Sequence, residues 1–197
     1  SSYANHAPRL VANALKGHPV ARSDGYARMT LPNGFNDFTA GMSIFTAVKP
    51  QAHPEPGVGE GILLHLGNTV DYQYEIRFAQ SGAGQRLRYQ VNDLNWHILE
   101  SPVGAAYIYN QPQVLSMVHT PARDVTLYKD GAVVKTGQLD LPVTMNHVNN
   151  YIINRNWMNA PFTGDYAELM LFNTALTEID RKALEWYFAN KYVDSNN

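Results

Sequence analysis

The chain has 197 residues, of which 16% are charged, with a net charge of −2 and no cysteine. The length suits one domain with a substantial core, and the near-neutral balance supplies no global field toward nucleic acid or an anionic membrane. The missing cysteines exclude disulfides and thiolate chemistry without choosing a compartment. Twelve tyrosines, fourteen glycines and eleven prolines favour strands and turns over helices. No apolar run is long enough to span a bilayer, so no membrane insertion is expected. No signal peptide is legible, and the chain opens Ser1-Ser2-Tyr3 without Met, as a processed form or an excised piece would.

In chain order, residues 1–8 read as a tail. Arg9 to Ala14 alternate loosely into a turn, a short strand and a second turn, with Gly17, Pro19 and Asp24-Gly25 supplying the turn chemistry. Leu31-Pro32-Asn33-Gly34 is a further turn. Phe38 to Pro50 is apolar on both faces, which predicts a central strand. Gln51 to Gly61, rich in Pro, Gly and Glu, is a surface loop, and Ile62 to Gly67 a short strand. Tyr72 to Phe78 alternates cleanly, as does Arg86 to Asn92, and the glycine-containing link between them predicts an antiparallel hairpin. That pairing puts Gln73, Glu75, Arg77, Arg88, Gln90 and Asn92 on one sheet face. Trp96 to Leu99, Ala105 to Tyr109 and Gln113 to His119 are predicted strands. Val125 to Tyr128 and Val133 to Thr136 flank an Asp130-Gly131 hairpin turn, and Tyr151 to Asn154 is a strand.

The closing stretch is the most informative. Asp165 to Asn173 is a strand whose apolar run, interrupted only by Glu168, predicts burial on both faces. Thr177, with Asp180 three residues on, starts a helix in capping-box fashion. Ile179, Ala183, Leu184, Tyr187 and Phe188 form its apolar stripe, with Lys182, Glu185 and Lys191 lying off it. Residues 193–197 are a tail.

Phe162 to Tyr192 follows the order F-x-G-D-x-A-E, apolar run, F-N-x-A-L-T, helix, K-Y. It resembles the end of bacterial LamG-like jelly-roll domains of the concanavalin A-like lectin/glucanase superfamily. Three further stretches resemble that family in the same order. Asn13 to Gly25 is similar to its A-L-N-G-x-P-x-V-x-F-D-G, although Ser23 stands where an aromatic is usual, so that one core anchor is either missing or supplied from elsewhere, with Tyr26 as the candidate. Val125 to Gly137 is similar to V-x-L-Y-x-D-G-x-x-V-x-x-G, and Tyr151 to Trp157 to the loop I-G-x-R-N-W. The resemblance spans residues 9–192. It implies an all-β fold, a two-sheet antiparallel jelly-roll sandwich with one short C-terminal helix. It leaves function open among lectins, binding modules, hydrolases, lyases and adhesion domains.

The catalytic patterns sought are absent. Related glucanases carry acids at alternating positions on one strand; none occurs here, and Glu178-Ile179-Asp180 belongs to the helix cap. There is no G-x-S-x-G, no HExxH and no P-loop, and the seven histidines lack zinc-like spacing. His65, between Leu64 and Leu66, reads as a strand residue. The polar hairpin face is the candidate ligand site. Arginine forks suit carboxylates or vicinal hydroxyls, amides suit hydroxyls, and Trp96, Tyr107, Tyr109 and Trp157, with His97 alongside, offer rings for stacking. A solvated sheet face displays polar residues in any case, and Glu75 can simply pair with Arg77 or Arg88. A polysaccharide lyase would need Arg77, Arg88, Gln90, His97 and Tyr107 or Tyr109 around one anionic sugar. Many members of the family it resembles hold a structural Ca²⁺, for which Glu168, Asp165 and Asp24 are the acids at hand; the alternative is no cofactor, with Glu168 taking backbone N–H or arginine partners. The sequence reading is therefore a non-catalytic carbohydrate-binding module of a secreted or surface protein, with a glycan partner and no nucleic acid. The alternatives are a structural or protein-binding adhesion domain, as on a phage or bacterial surface, and a lyase acting on an anionic polysaccharide. Replacing Arg77 and Arg88 together with Ala is expected to abolish glycan binding and leave the fold intact.

Overall fold

The computed structural model describes residues 7–54, 60–68, 73–81, 85–154 and 161–193. The strands are β1 (Arg9–Leu15), β2 (His18–Asp24), β3 (Met29–Thr30), β4 (Met42–Pro50), β5 (Glu60–Gly67), β6 (Glu75–Ser81) and β7 (Arg86–Asn92), followed by β8 (Trp96–Glu100), β9 (Gln113–His119), β10 (Asp124–Lys129), β11 (Ala132–Gln138), β12 (Tyr151–Ile152) and β13 (Thr163–Phe172). One helix, α1 (Glu178–Tyr192), follows. A seven-stranded sheet runs β1-β2-β13-β4-β9-β10-β11 and a six-stranded sheet β3-β12-β5-β6-β7-β8. Every strand pair is antiparallel. This is the jelly-roll sandwich expected from the sequence.

The alternation of each strand decides what the sandwich encloses. Ile76, Phe78, Tyr89 and Val91 from the six-stranded sheet meet Ile44, Val48, Leu115 and Met117 from the seven-stranded one in a single buried cluster. The β10–β11 turn places both Asp130 (φ 49°) and Gly131 (φ 81°) in the left-handed region, the conformation its Asp-Gly predicts. Inside the core, the Tyr89 hydroxyl donates to His119 Nδ1 (3.1 Å), and His119 Nε2 donates to the Leu139 carbonyl (3.0 Å), so this buried polar pair is satisfied.

Helix α1 covers the outer face of the seven-stranded sheet. Thr177 caps it by accepting from the Asp180 N–H (3.2 Å). Phe188 and Tyr192 pack with Phe45, Ala47 and Val114 beneath, and with Leu15 and Val20 of the first hairpin. The buried stripe is only partly the expected one: Phe188 is buried, and Leu184 and Tyr187 pack half-buried against the same cluster. Arg181, Glu185, Phe188 and Tyr192 face inward, while Ile179 is 81% exposed. The sheet beneath carries Ser116 and Tyr128: Glu185 accepts from the Ser116 hydroxyl (2.6 Å) and pairs with Arg181, whose guanidinium lies 4.1 Å over the Tyr128 ring. A polar patch on the sheet thus selects the helix's charged pair over its isoleucine.

Two strand expectations also change. Ala105 to Tyr109 forms turns and irregular chain, not a strand. Strand β13 is buried only from Thr163 to Tyr166 and partly exposed from Ala167 to Phe172, so its apolar run does not mean burial on both faces.

Candidate functional site

With α1 over one sheet, the outer face of the six-stranded sheet is the broad surface left for a ligand. Its register stacks polar residues into rows. Glu75 stands opposite Asn92, Arg77 opposite Gln90, and Ala79 opposite Arg88. The next strands extend them: His65 lies beside Arg77, and Trp96, Ile98 and Glu100 lie beside Asn92, Gln90 and Arg88.

These side chains form a charge ladder. His65 bridges the Asn149 carbonyl (3.1 Å) and the Glu75 carboxylate (2.9 Å), and Arg77 pairs with the other Glu75 oxygen. Glu60 then links Arg77 (3.6 Å) to Arg88 (3.0 Å), and Glu100 links Arg88 (2.6 Å) to Arg86 (3.1 Å). Burial pushes the Glu75 carboxyl up, but the His65 hydrogen bond and the charges of Arg77 and His65 outweigh it and hold the group below the ordinary carboxylate range. Glu100 is held low in the same way against its own burial, by Ser81, Arg88 and Arg86. At the far edge, Tyr151 stacks on His65 at 6.0 Å with the Arg28 guanidinium 4.6 Å above its ring. Pairing of Glu75 with Arg77 is the bland outcome the sequence allowed; Glu60 and His65 as its extensions were not read from the sequence.

The inner members of the ladder are buried. Glu75, Arg77, Gln90 and Asn92 are each no more than 5% exposed. The Arg77 guanidinium lies 5.2 Å from the Trp96 ring centroid, a cation–π contact. The indole itself remains 53% exposed, with Ile98 beside it at 41%. Gln90 has neither its amide nitrogen nor its oxygen hydrogen-bonded.

A family model, Laminin_G_3, described as the concanavalin A-like lectin/glucanases superfamily, matches residues 23–180. The chain belongs to that superfamily. No curated protein sequence matches this concanavalin A-like domain. Among solved structures it is similar to domain 4 of AbnA, a GH43 extracellular arabinanase from Geobacillus stearothermophilus in complex with arabinotriose. That match has a TM-score of 0.71 and 18% identity, over 93% of this chain and 84% of the other. It is also similar to the CBM40 of Ruminococcus gnavus IT-sialidase bound to α2,3 sialyllactose, with a TM-score of 0.60 and 12% identity over 80% and 95% of the two chains. The binding domain of Paraclostridial Mosquitocidal Protein 1 gives 0.69 at 13% identity, over 94% of this chain and 47% of that one. At such identities the likeness is one of fold.

Within the concanavalin A-like domain the remaining expected site residues scatter. Gln73 is exposed just ahead of β6, outside the ladder. Tyr107 is 1% exposed in the sandwich core, and Tyr109 lies against it, accepting from Gln80 Nε2 (2.9 Å). Burial pushes the Tyr107 hydroxyl far above its ordinary value. His97 pairs with Val91, so it points to the opposite side of the sheet from Gln90. The lyase constellation is therefore not assembled. Trp157 lies outside the described residues.

The acids considered for Ca²⁺ do not fit that ion. Glu168 accepts from Tyr192 (2.7 Å), Lys191 (2.9 Å) and Tyr187 (3.2 Å), and Asp165 holds Arg22 through Nη2 at 2.8 Å and Nε at 2.5 Å. Both carboxylates are thus neutralised by cations, and Asp24 instead caps the Tyr26 N–H (3.1 Å). Among the described residues, the one grouping of three ligating side chains is Asp93, His97 and Asp140, where His97 Nε2 is 3.0 Å from Asp93 and Arg123 holds Asp140 at 2.9 Å. Among the described residues, no helix is long and apolar enough to cross a membrane.

Proposed function

We propose that the chain is a non-catalytic carbohydrate-binding module whose glycan lies on the outer face of the six-stranded sheet and its adjoining loops. The observation that carries this reading is Trp96: an exposed indole, backed by the buried Arg77 guanidinium, on the sheet face that the helix leaves open. A sugar ring stacks on such an indole, and exposed polar neighbours take its hydroxyls.

The carboxylates of this face support a binding role over catalysis. Glu60, Glu75 and Glu100 are each tied to arginine, and Glu75 and Glu100 are held low, whereas a general acid needs a raised pKa. The arabinotriose and sialyllactose complexes of the similar structures give the fold a precedent for glycans, and the arabinanase domain gives it one for an extracellular setting. By this reading the module serves a secreted or surface protein.

The test is titration of the chain with a panel of neutral and anionic oligosaccharides, including arabinotriose and sialyllactose, with calcium and again with chelator. Binding should quench Trp fluorescence. Trp96→Ala should weaken it at least about tenfold, the scale of one aromatic platform, while lowering stability by only about 0.5–2 kcal/mol through the lost Arg77 contact. No hit on the panel, or full affinity in Trp96→Ala, would remove this assignment.

A further inference from the structure

Among the described residues, the seven-stranded sheet has an open edge in its middle. Strand β2 pairs with β13 only from Ala21 to Asp24, opposite Tyr166 to Thr163. Two residues before Ala21 stands Pro19, which has no N–H to give to a ladder. The tip of the β1–β2 hairpin turns instead toward the helix: Lys16 Nζ donates to the Asn190 carbonyl (2.7 Å), and His18 packs edge-on against Tyr192. Strand β13 bulges between Tyr166 and Glu168 and continues alongside β4 as far as Phe172. Among the described residues, no strand pairs with Ala167 to Phe172 on the side away from β4. Open edges are normally blunted by charge or proline. Here the run Ala167-Glu168-Leu169-Met170-Leu171-Phe172 has one charge, and Lys191 and Tyr192 hold it on the helix side.

The inward side chains of this edge open into two clefts. Leu169 lines one of about 460 Å³ with Met29 from the opposite sheet, Leu31 just after it, and Pro19 and Val20 of β2; Ala167, at the bulge, borders it while packing with the cluster under the helix. Leu171 lines a second of about 290 Å³ with Phe35, Phe38 and Asp37. Alternate residues of one unpaired strand thus face successive clefts. That is the layout of strand addition, in which main-chain hydrogen bonds supply affinity and pockets for alternate side chains supply selectivity. Asp37 sets the direction. It is exposed, its carboxylate accepts from Thr39 N–H (2.9 Å) and hydroxyl (2.7 Å), and no cation pairs with it among the described residues.

We propose that the edge Ala167 to Phe172 captures an extended peptide from another chain by strand addition. The peptide runs antiparallel to β13, like every other neighbour in this sheet. A basic residue at its N-terminal end meets Asp37, and apolar side chains at alternate positions fill the two clefts. This site lies on a different sheet from the glycan face and does not depend on it.

The probe is an acetylated heptapeptide that begins with lysine and then alternates threonine with leucine, titrated against the full 197-residue chain. Hydrogen exchange is followed at the amides of Ala167 to Phe172. The peptide should slow exchange there and leave the amides of β7 unaffected. N-methylation of alternate peptide bonds should weaken binding at least about tenfold, the loss of one or more backbone hydrogen bonds. Asp37→Asn should weaken the lysine peptide about threefold, as for an exposed ion pair, and leave a norleucine analogue unchanged. Leu171→Glu should abolish binding; should it not fold, the Asp37→Asn comparison decides. No binding, equal binding of the N-methylated peptide, or amides already slow in the free protein would overturn the proposal. So would protection that rises with protein concentration alone, which would make a second copy the occupant.

Discussion

Removing Arg77 should destabilise the protein strongly, because this residue that looked like a surface ligand is a buried counter-ion. The Arg77 and Glu75 side chains are 3% and 4% exposed and pair directly, with Glu60 as a second partner of Arg77. Arg77→Ala leaves the Glu75 carboxylate in a poorly solvated site with only His65 beside it. Breaking a buried pair from one side costs about 3–5 kcal/mol. For a chain of this size that lowers the unfolding temperature by about 6–20 °C. Replacing both partners, Arg77→Met with Glu75→Gln, should recover most of the loss, since no charge then stays buried. The assay is urea unfolding at pH 7.5 of wild type, both single variants and the double variant, read as a cycle. The penalty of Arg77→Ala should shrink toward acid pH, where the isolated carboxyl takes a proton. A single-variant loss under about 1 kcal/mol, or no coupling in the cycle, would refute the ladder as described. The expectation that Arg77 and Arg88 can be removed together without harming the fold therefore does not survive the structure, and Trp96 is the cleaner probe of binding.

Other consequences follow from the buried polar groups. His119 and His147 are held below the ordinary imidazole value, first by burial, against the opposing hydrogen bonds to the Leu139 and Phe35 carbonyls. The folded state then binds fewer protons than the unfolded chain. Their contribution is complete above the unfolded value near 6.5 and is lost as pH falls toward the folded values. The urea midpoint should drop between pH 7.5 and 5.5, and a flat profile would contradict this. Glu185→Ala should cost about 3–5 kcal/mol by stranding Arg181 and the Ser116 hydroxyl under the helix. Ile179→Ala and Trp186→Ala, at exposed positions of the same helix, should stay within about 0.5 kcal/mol; the reverse ranking in denaturation would show the helix face to be misassigned.

The jelly roll was legible because it rests on local signals. The alternation from Arg86 to Asn92, the Asp130-Gly131 turn and the Thr177 cap each act within a few residues, and the structure places each where the sequence does. The hairpin register that gathers Glu75, Arg77, Gln90 and Asn92 on one face was legible for the same reason. The helix stripe was read correctly at Phe188 and misread at Ile179 and at the Arg181–Glu185 pair, because that part of the buried side answers to Ser116 and Tyr128, more than fifty residues earlier in the chain. Tyr107 and His97 were grouped with the polar face by residue type alone, and the packing sends them elsewhere.

The sequence by itself determined the architecture, the hairpin register and the polar identity of one sheet face, since strand periodicity and turn chemistry act over a few neighbouring residues. Only the tertiary structure decided the rest. It joined Glu60 to the arginines and His65 to Glu75, buried Arg77 under Trp96, tied up the acids Glu168 and Asp165, and, among the described residues, left part of the edge of β13 without a paired strand. Each of these depends on which distant strand or helix lies alongside, and burial and pairing of charge are properties of that company and not of the residue.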